Sequence, residues 1–370
     1  MRQIRVLMIV PNLRVSNGVA SFAINYYRKL DPSKIHMDFA LYSDRPSPYY
    51  EEIQQLGSTI YILPQVKNLK EHLRKCNEIL VTKKYDVIHN NTLHISIPMM
   101  WCAKRAGISV RILHSHNTRL GETRKKEVRN KFFLPVLRGL ATDFAACSRM
   151  AGTAMFGNRE FTIVPNVIAS EKYHFEEERR LAIRSQMNAA GKVIVGTVGR
   201  LAKQKNPYFA INVFKKLQIM IPNAEYWWIG SGELDNQVKR YVESQGLAEK
   251  VKLLGSRNDV LDLYQAMDCF FLPSLFEGLP VTGVEAQAMG LPMVVSDTIT
   301  DEMVYTELVD HISLGEPVNA WVKFLANALS RKVNREVYSN ELKQSIFSDV
   351  GCGERLIKVY DGLLRRHGGE

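Results

Sequence analysis

Short apolar runs of strand length alternate with amphipathic stretches of helix length along the whole chain, and this alternation narrows the possible folds more than any other feature. The runs at 4–10, 37–42, 86–89, 110–114, 143–147 and 161–164 read as buried strands. Stretches such as 19–30 and 69–83 place apolar residues at helical spacing between them. The same grammar restarts at 192–198 and continues through 225–229, 251–254, 268–272 and 293–296, with helices expected at 206–221, 234–245 and 281–289. Alternating strands and helices imply parallel sheets with right-handed crossovers, and two such blocks in 370 residues imply two doubly wound α/β domains. The break is expected near 165–190, where Pro165 and Asn166 follow a strand and the acidic run 176–178 comes after. Residues 353–366 read as a last helix, with Leu356, Ile357, Tyr360, Leu363 and Leu364 on one stripe, able to pack on either domain.

Composition excludes several classes. Hydrophobic residues are 46% and charged residues 24%, so disorder and fibrous repeats are ruled out. No apolar run approaches the ~20 residues of a spanning helix, and residues 1–10 carry no cleavage-site pattern, so a cytoplasmic protein is expected. The five cysteines have no C-x-x-C spacing, which fits reduced thiols and neither a disulfide scaffold nor a zinc site.

Charge is uneven. Of 49 basic and 38 acidic residues, residues 1–168 hold 25 and 12, a net of +13. The remainder holds 24 and 26, close to neutral. A first half this basic attracts anions. Arg124, Lys125, Lys126, Arg129 and Lys131 crowd beside Phe132, Phe133 and Leu134. That pattern suits docking on an anionic bilayer surface, with an ordinary solvated helix face as the alternative.

Ligands of doubly wound sheets sit outside the carboxyl ends of the strands, so the loops there are where chemistry is expected. Residues 272–292, LPSLFEGLPVTGVEAQAMGLP, run from a strand through a loop carrying Glu277 into a helix carrying Glu285. Gly278 permits close approach of backbone to ligand, and helix-start amides near Leu279–Thr282 suit an anion. Two carboxylates beside a phosphate site fit acceptors of sugar hydroxyls, because a carboxylate on the phosphate itself is repelled. Residues 196–207, GTVGRLAKQKNP, place Arg200, Lys203 and Lys205 before a helix opening at Pro207. Arg as a planar fork and Lys as a point charge suit a departing diphosphate. Gly18, in the loop at 11–23, precedes the first helix and allows close approach of a phosphate or sugar. His114 and His116 form H-x-H at a strand end with no carboxylate or cysteine spaced to complete a metal set. His116 therefore reads as a hydrogen-bonding group, with His89 and His94 weaker candidates of the same kind. No D-x-D, P-loop or strand–helix G-x-G-x-x-G occurs; Gly230-Ser231-Gly232 lacks the third glycine.

Taken in order, E-x7-E at Glu277 and Glu285, GR-x-x-x-QKNP, IGSGELD and LLGSRNDV resemble the retaining glycosyltransferases of family four, over nearly the whole chain. Look-alikes serve bacterial capsular and exopolysaccharide assembly. The resemblance implies a GT-B fold: an acceptor-binding domain at 1–168, a nucleotide-sugar domain at 169–352, and a helix at 353–370 crossing back to the first. It implies that Arg200 and Lys205 neutralise the diphosphate, with Gly278, Leu279 and Gly18 near it. It further implies that Glu285 accepts from ribose, Glu277 holds the transferred sugar, His116 touches that sugar, and Gly230 and Arg257 frame the base. A UDP-sugar donor, a glycan acceptor on a lipid carrier, no metal, no cofactor and no nucleic acid are expected. Two departures stand out. Pro165-Asn166-Val167-Ile168 replaces the family's PNG-Val-Asp turn, and E-G-L-P replaces E-G-F-G, so Pro280 has no amide to donate. A GT-B sugar-nucleotide epimerase and a non-catalytic polyanion-binding or membrane-binding protein are the rival readings.

Overall fold

The computed structural model describes residues 2–15, 17–121 and 123–368. Ser16, in the expected loop at 11–23, and the last two residues of the expected helix at 353–370 therefore lie outside the described residues. The chain divides into two units, 1–167 with 349–370, and 168–348. The second unit is thus inserted into the first, and its own two ends pair through a parallel bridge between Ile168 and Ser348.

In the first unit β1 (Ile4–Val10), β2 (Ile35–Leu41), β3 (Ile60–Ile62), β4 (Val87–Asn90), β5 (Val110–Ser115), β6 (Asp143–Ala146) and β7 (Thr162–Ile163) make one parallel sheet. Its order is β3-β2-β1-β4-β5-β6-β7. The crossovers are α1 (Gly18–Tyr27), α2 (Tyr49–Gln55), α3 (Leu69–Lys83), α4 (Ile97–Arg105), α5 (Arg124–Leu140) and α6 (Arg149–Phe156). In the second unit β8 (Val193–Val198), β9 (Ala224–Ile229), β10 (Val251–Gly255), β11 (Cys269–Leu272), β12 (Met293–Ser296) and β13 (Val309–Ile312) are again all parallel, in the order β10-β9-β8-β11-β12-β13. Its helices are α7 (Glu177–Gln186), α8 (Pro207–Met220), α9 (Asp235–Ser244), α10 (Val260–Ala266), α11 (Val281–Ala288), α12 (Val318–Ser330) and α13 (Tyr338–Gln344). The last helix, α14 (Cys352–Arg366), belongs to the first unit.

The period of two along a strand explains the layering. β1 sends Val6, Met8 and Val10 to one face and Leu7 and Ile9 to the other, so both faces are covered. On the first face Leu356, Tyr360 and Leu363 of α14 join Phe22, Ala23 and Tyr26 of α1 in one core. The helix approaches so closely that a Cβ on Gly353 would strike the Lys29 carbonyl. The second unit's core is built on Tyr226, Trp228, Phe214, Phe271 and Trp321.

Two edge strands, β3 and β13, were not expected from the sequence. Each is short, and β13 interrupts its apolar residues with Asp310 and His311. Each sheet reverses its order beside its first strand: β1 lies between β2 and β4, and β8 between β9 and β11. Those reversals place the ligand crevice of each unit at the ends of β1 and β4, and of β8 and β11.

Candidate active site

In the second unit, the loops leaving β8 and β11 are laced together at the reversal point. Lys203–Lys205 make a 3-10 turn, and the Leu275 amide donates to the Gln204 carbonyl at 2.8 Å. The Gln204 side chain donates onward to the Phe276 carbonyl at 3.0 Å and to Glu277 Oε2 at 3.1 Å. Lys205 Nζ consequently lies 2.7 Å from Glu277 Oε1, both side chains being nearly enclosed, 12% and 8% exposed. The ammonium has three donors, so this pairing leaves capacity for an anion. Asn206 then adopts a left-handed conformation (φ 56°), and Pro207 opens α8.

Glycine packing positions the cations. A Cβ on Gly230, at φ 129°, would strike the Gly199 carbonyl, and one on Gly232 would strike that of Leu201. The loops after β8 and β9 therefore touch backbone to backbone. The Gly199 carbonyl also accepts from Trp228 Nε1 at 3.0 Å. Arg200 projects at the exposed rim, its Nη1 3.8 Å from Glu233 Oε2, an ion pair too solvated to contribute much stability.

The helix after Glu277 starts at Val281 without a side-chain cap. The Thr282 hydroxyl in its first turn is buried with no hydrogen-bond partner. A helix start with unmatched amide and hydroxyl donors suits an anion. Glu285, on the next turn, accepts from the Tyr173 hydroxyl at 2.7 Å through Oε1 and from Tyr264 at 2.8 Å through Oε2. Burial raises its pKa and the two hydroxyls oppose that rise. Each oxygen keeps a second lone-pair direction, enough for a vicinal diol.

In the first unit, His116 follows β5 and Asn91 follows β4, joined by a 2.8 Å hydrogen bond between Nε2 and Oδ1. His116, His114 and His89 stack in series. At the end of β1, Asn17 caps α1 by accepting from the Val19 and Ala20 amides at 2.9 and 3.3 Å. Gly18 is exposed, and a Cβ there would touch nothing within 4 Å.

Residues 179–340 match the family described as glycosyl transferases group 1. Over 375 residues the chain is 31% identical to the putative glycosyltransferase EpsF of Bacillus subtilis (strain 168), covering 97% of each. This chain belongs to the group 1 glycosyltransferases. The enzyme is also 25% identical over 313 residues to the Escherichia coli UDP-Gal:alpha-D-GlcNAc-diphosphoundecaprenol alpha-1,3-galactosyltransferase, covering 80% of this chain and 79% of that one. Among solved structures, Anabaena Alr3699/HepE in complex with UDP and glucose superposes with a TM-score of 0.80 at 17% identity, over 97% of this chain and 100% of that one. Likeness at that identity speaks to the fold alone, which is GT-B.

Of the expected site residues, this glycosyltransferase carries Arg200, Lys205, Gly230, Arg257, Glu277, Gly278, Leu279 and Glu285 on its second unit, and Gly18 and His116 on its first. Lys205 meets Glu277 directly. Arg257 is exposed and forked onto Asp259 at 2.8 and 2.5 Å. His94 stacks on Phe133, 6.1 Å between centroids, and takes no part in the histidine series. Gln204, Tyr173, Tyr264 and Asn91 were missed by sequence reasoning. Gln204 stood inside a quoted motif, whereas the tyrosines lie 112 and 21 positions from Glu285 and carry no local signal. Among the described residues no group of three His, Cys, Asp or Glu is placed to hold a metal, and no helix is long and apolar enough to cross a membrane.

Proposed function

We propose that this enzyme moves a sugar from a UDP-sugar, with retention and without a metal ion, to a lipid-linked glycan during polysaccharide synthesis at the inner face of a cell membrane. The observation that carries the reading is the enclosed Lys205–Glu277 pair beside an uncapped helix start at the second unit's reversal point. Lys205, Arg200 and the helix-start donors meet the diphosphate, with the backbone of Gly278 and Leu279 alongside. Glu277 receives hydroxyls of the sugar, Glu285 those of ribose, and the segments at Gly230 and Arg257 flank the base. For the first unit, the family resemblance assigns Gly18 to the diphosphate and His116 to the transferred sugar.

As transfer proceeds, the acceptor oxygen bonds to the anomeric carbon on the face that the diphosphate is leaving. The carbon–phosphate oxygen bond breaks, and the acceptor proton passes to the departing phosphate oxygen. Lys205 and Arg200 stabilise the charge that develops there, worth roughly 3–4 kcal/mol per well-placed donor in a water-poor site.

The donor choice draws support from the Escherichia coli relative, named for UDP-Gal, and from the Anabaena complexes with UDP-glucose and UDP. The same relative is named for a diphosphoundecaprenol-linked acceptor, and another, of Staphylococcus aureus, for capsular polysaccharide. Membrane association is supported by α5, which exposes Val128, Phe132 and Val136 among Arg124, Lys125, Arg129 and Lys131.

A thermal-shift panel of nucleotide sugars tests the donor. Stabilisation by a UDP-sugar, lost in Lys205→Ala, is expected and is to be unaltered by EDTA. No response to any nucleotide sugar, or a response that EDTA abolishes, would sink the reading. Isomerisation of UDP-GlcNAc without acceptor would favour the epimerase instead.

A further inference from the structure

The carboxyl ends of β4 and β5 hold an imidazole stack whose two ends are anchored differently. Ring centroids of His116 and His114 are 4.0 Å apart, and those of His114 and His89 5.1 Å. Phe22 of α1 meets all three rings edge to face, at 4.8, 4.8 and 6.0 Å. At one end His89 Nδ1 lies 2.7 Å from the hydroxyl of Tyr360 on α14, and His89 Nε2 lies 2.9 Å from His114 Nδ1. At the other end stands Asn91.

The orientation of Asn91 decides the chemistry of His116. Its Nδ2 lies 3.1 Å from the Ile9 carbonyl and 3.3 Å from that of His89. Carbonyl oxygens only accept, so the amide nitrogen must face them and Oδ1 must face His116. Oδ1 also only accepts. The proton between Oδ1 and His116 Nε2, 2.8 Å apart, therefore belongs to the imidazole. In a neutral ring the other nitrogen, Nδ1, then carries a lone pair.

We propose that Asn91 is a positioning residue that locks His116 as the neutral Nε2–H tautomer, so that Nδ1 serves as a hydrogen-bond acceptor for a hydroxyl of the transferred sugar and never as an acid. The presentation to a sugar rests on the function proposed above; the tautomer does not. Burial works in the same direction, holding the His116 pKa down to about 3. Of the titratable groups packed on it, His89 from β4 and His114 from β5 are likewise pushed down by burial, and α1 contributes the uncharged Phe22. An imidazolium here would donate from both nitrogens and accept from neither. A neutral acceptor instead selects sugars that carry a hydroxyl at the facing carbon.

The test is a long-range proton–nitrogen correlation spectrum of the full-length protein labelled with 15N-histidine, with His116 assigned by the signal lost in His116→Gln. The expected pattern is a protonated Nε2 and a bare Nδ1, unchanged from pH 7.5 to 5.5. A protonated Nδ1, or imidazolium at pH 7, overturns the lock. Asn91→Asp sets a carboxylate beside Nε2 and favours the charged ring. Turnover of that variant is expected to fall about tenfold or more at pH 6 and to recover toward pH 8.5, whereas wild type shows no such step. Because the new carboxylate also faces two carbonyls, folding of the variant is verified by circular dichroism, and the wild-type spectrum remains the primary measurement. An Nε2–H tautomer combined with wild-type transfer by His116→Asn overturns the sugar contact and leaves the lock standing.

Discussion

Mild acid is expected to unfold the first unit while the second stays folded. Burial holds His89 and His116 down to about 3, and His114 well below its ordinary value. Once unfolded, the same imidazoles take up protons near pH 6.5. Between those limits the unfolded state binds more protons, so this contribution is complete above pH 6.5 and is lost as pH falls. One proton corresponds to about 1.4 kcal/mol per pH unit. Three together remove about 4 kcal/mol by pH 5.5 and about 8 kcal/mol by pH 4.5, against a domain stability of order 5–15 kcal/mol. Hydrogen exchange read by mass spectrometry separates the units. Peptides from β1, β4 and β5 should lose protection steeply between pH 6.5 and 5, while those from β8, β9 and β11 should not. A dependence corresponding to fewer than one proton would refute the claim that these rings are held neutral.

Four substitutions probe the proposed sugar-nucleotide site. Lys205→Ala breaks an enclosed ion pair and should cost about 2–4 kcal/mol of stability and lower turnover roughly 100-fold or more; adding Glu277→Gln should restore the urea midpoint but not the turnover. Gly18→Ala meets nothing within 4 Å, so the melting temperature should hold or rise slightly while the donor KM increases; an unchanged KM removes Gly18 from the site. Gly230→Ala forces a side chain to φ 129° against the Gly199 carbonyl and should lose about 2 kcal/mol or more by calorimetry, with activity falling as the Arg200 loop shifts.

Much of the architecture was legible because buried parallel strands are continuous apolar runs. β9, Ala224–Ile229, is buried at every position. What escaped were two short edge strands, one too brief and one too polar to read as an apolar run. β3 has three residues, and in β13 Asp310 and His311 stand together between its two apolar residues. At the site, the motifs exposed Arg200, Lys205, Glu277 and Glu285 because helix starts and strand ends leave local signatures. Their partners are set by sheet order instead. β8 and β11 are neighbours although 70 residues lie between them in sequence, and only that adjacency lets Gln204 reach Glu277. His89 and His114 stack because β4 pairs with β5. Asn91 reads as any loop asparagine; the role proposed for it depends on the Ile9 carbonyl, 82 positions away, which the pairing of β1 with β4 brings beside it.

The return of α14 to the first unit has a consequence for synthesis. The ribosome completes residues 168–348 before it makes the helix that supplies Leu356, Tyr360 and Leu363 to the earlier core. The part of the protein translated first is thus finished last, held open until the closing residues emerge. A transcript cut short before the Cys352 codon would leave the inserted unit able to close and its host without that helix on one face of its sheet.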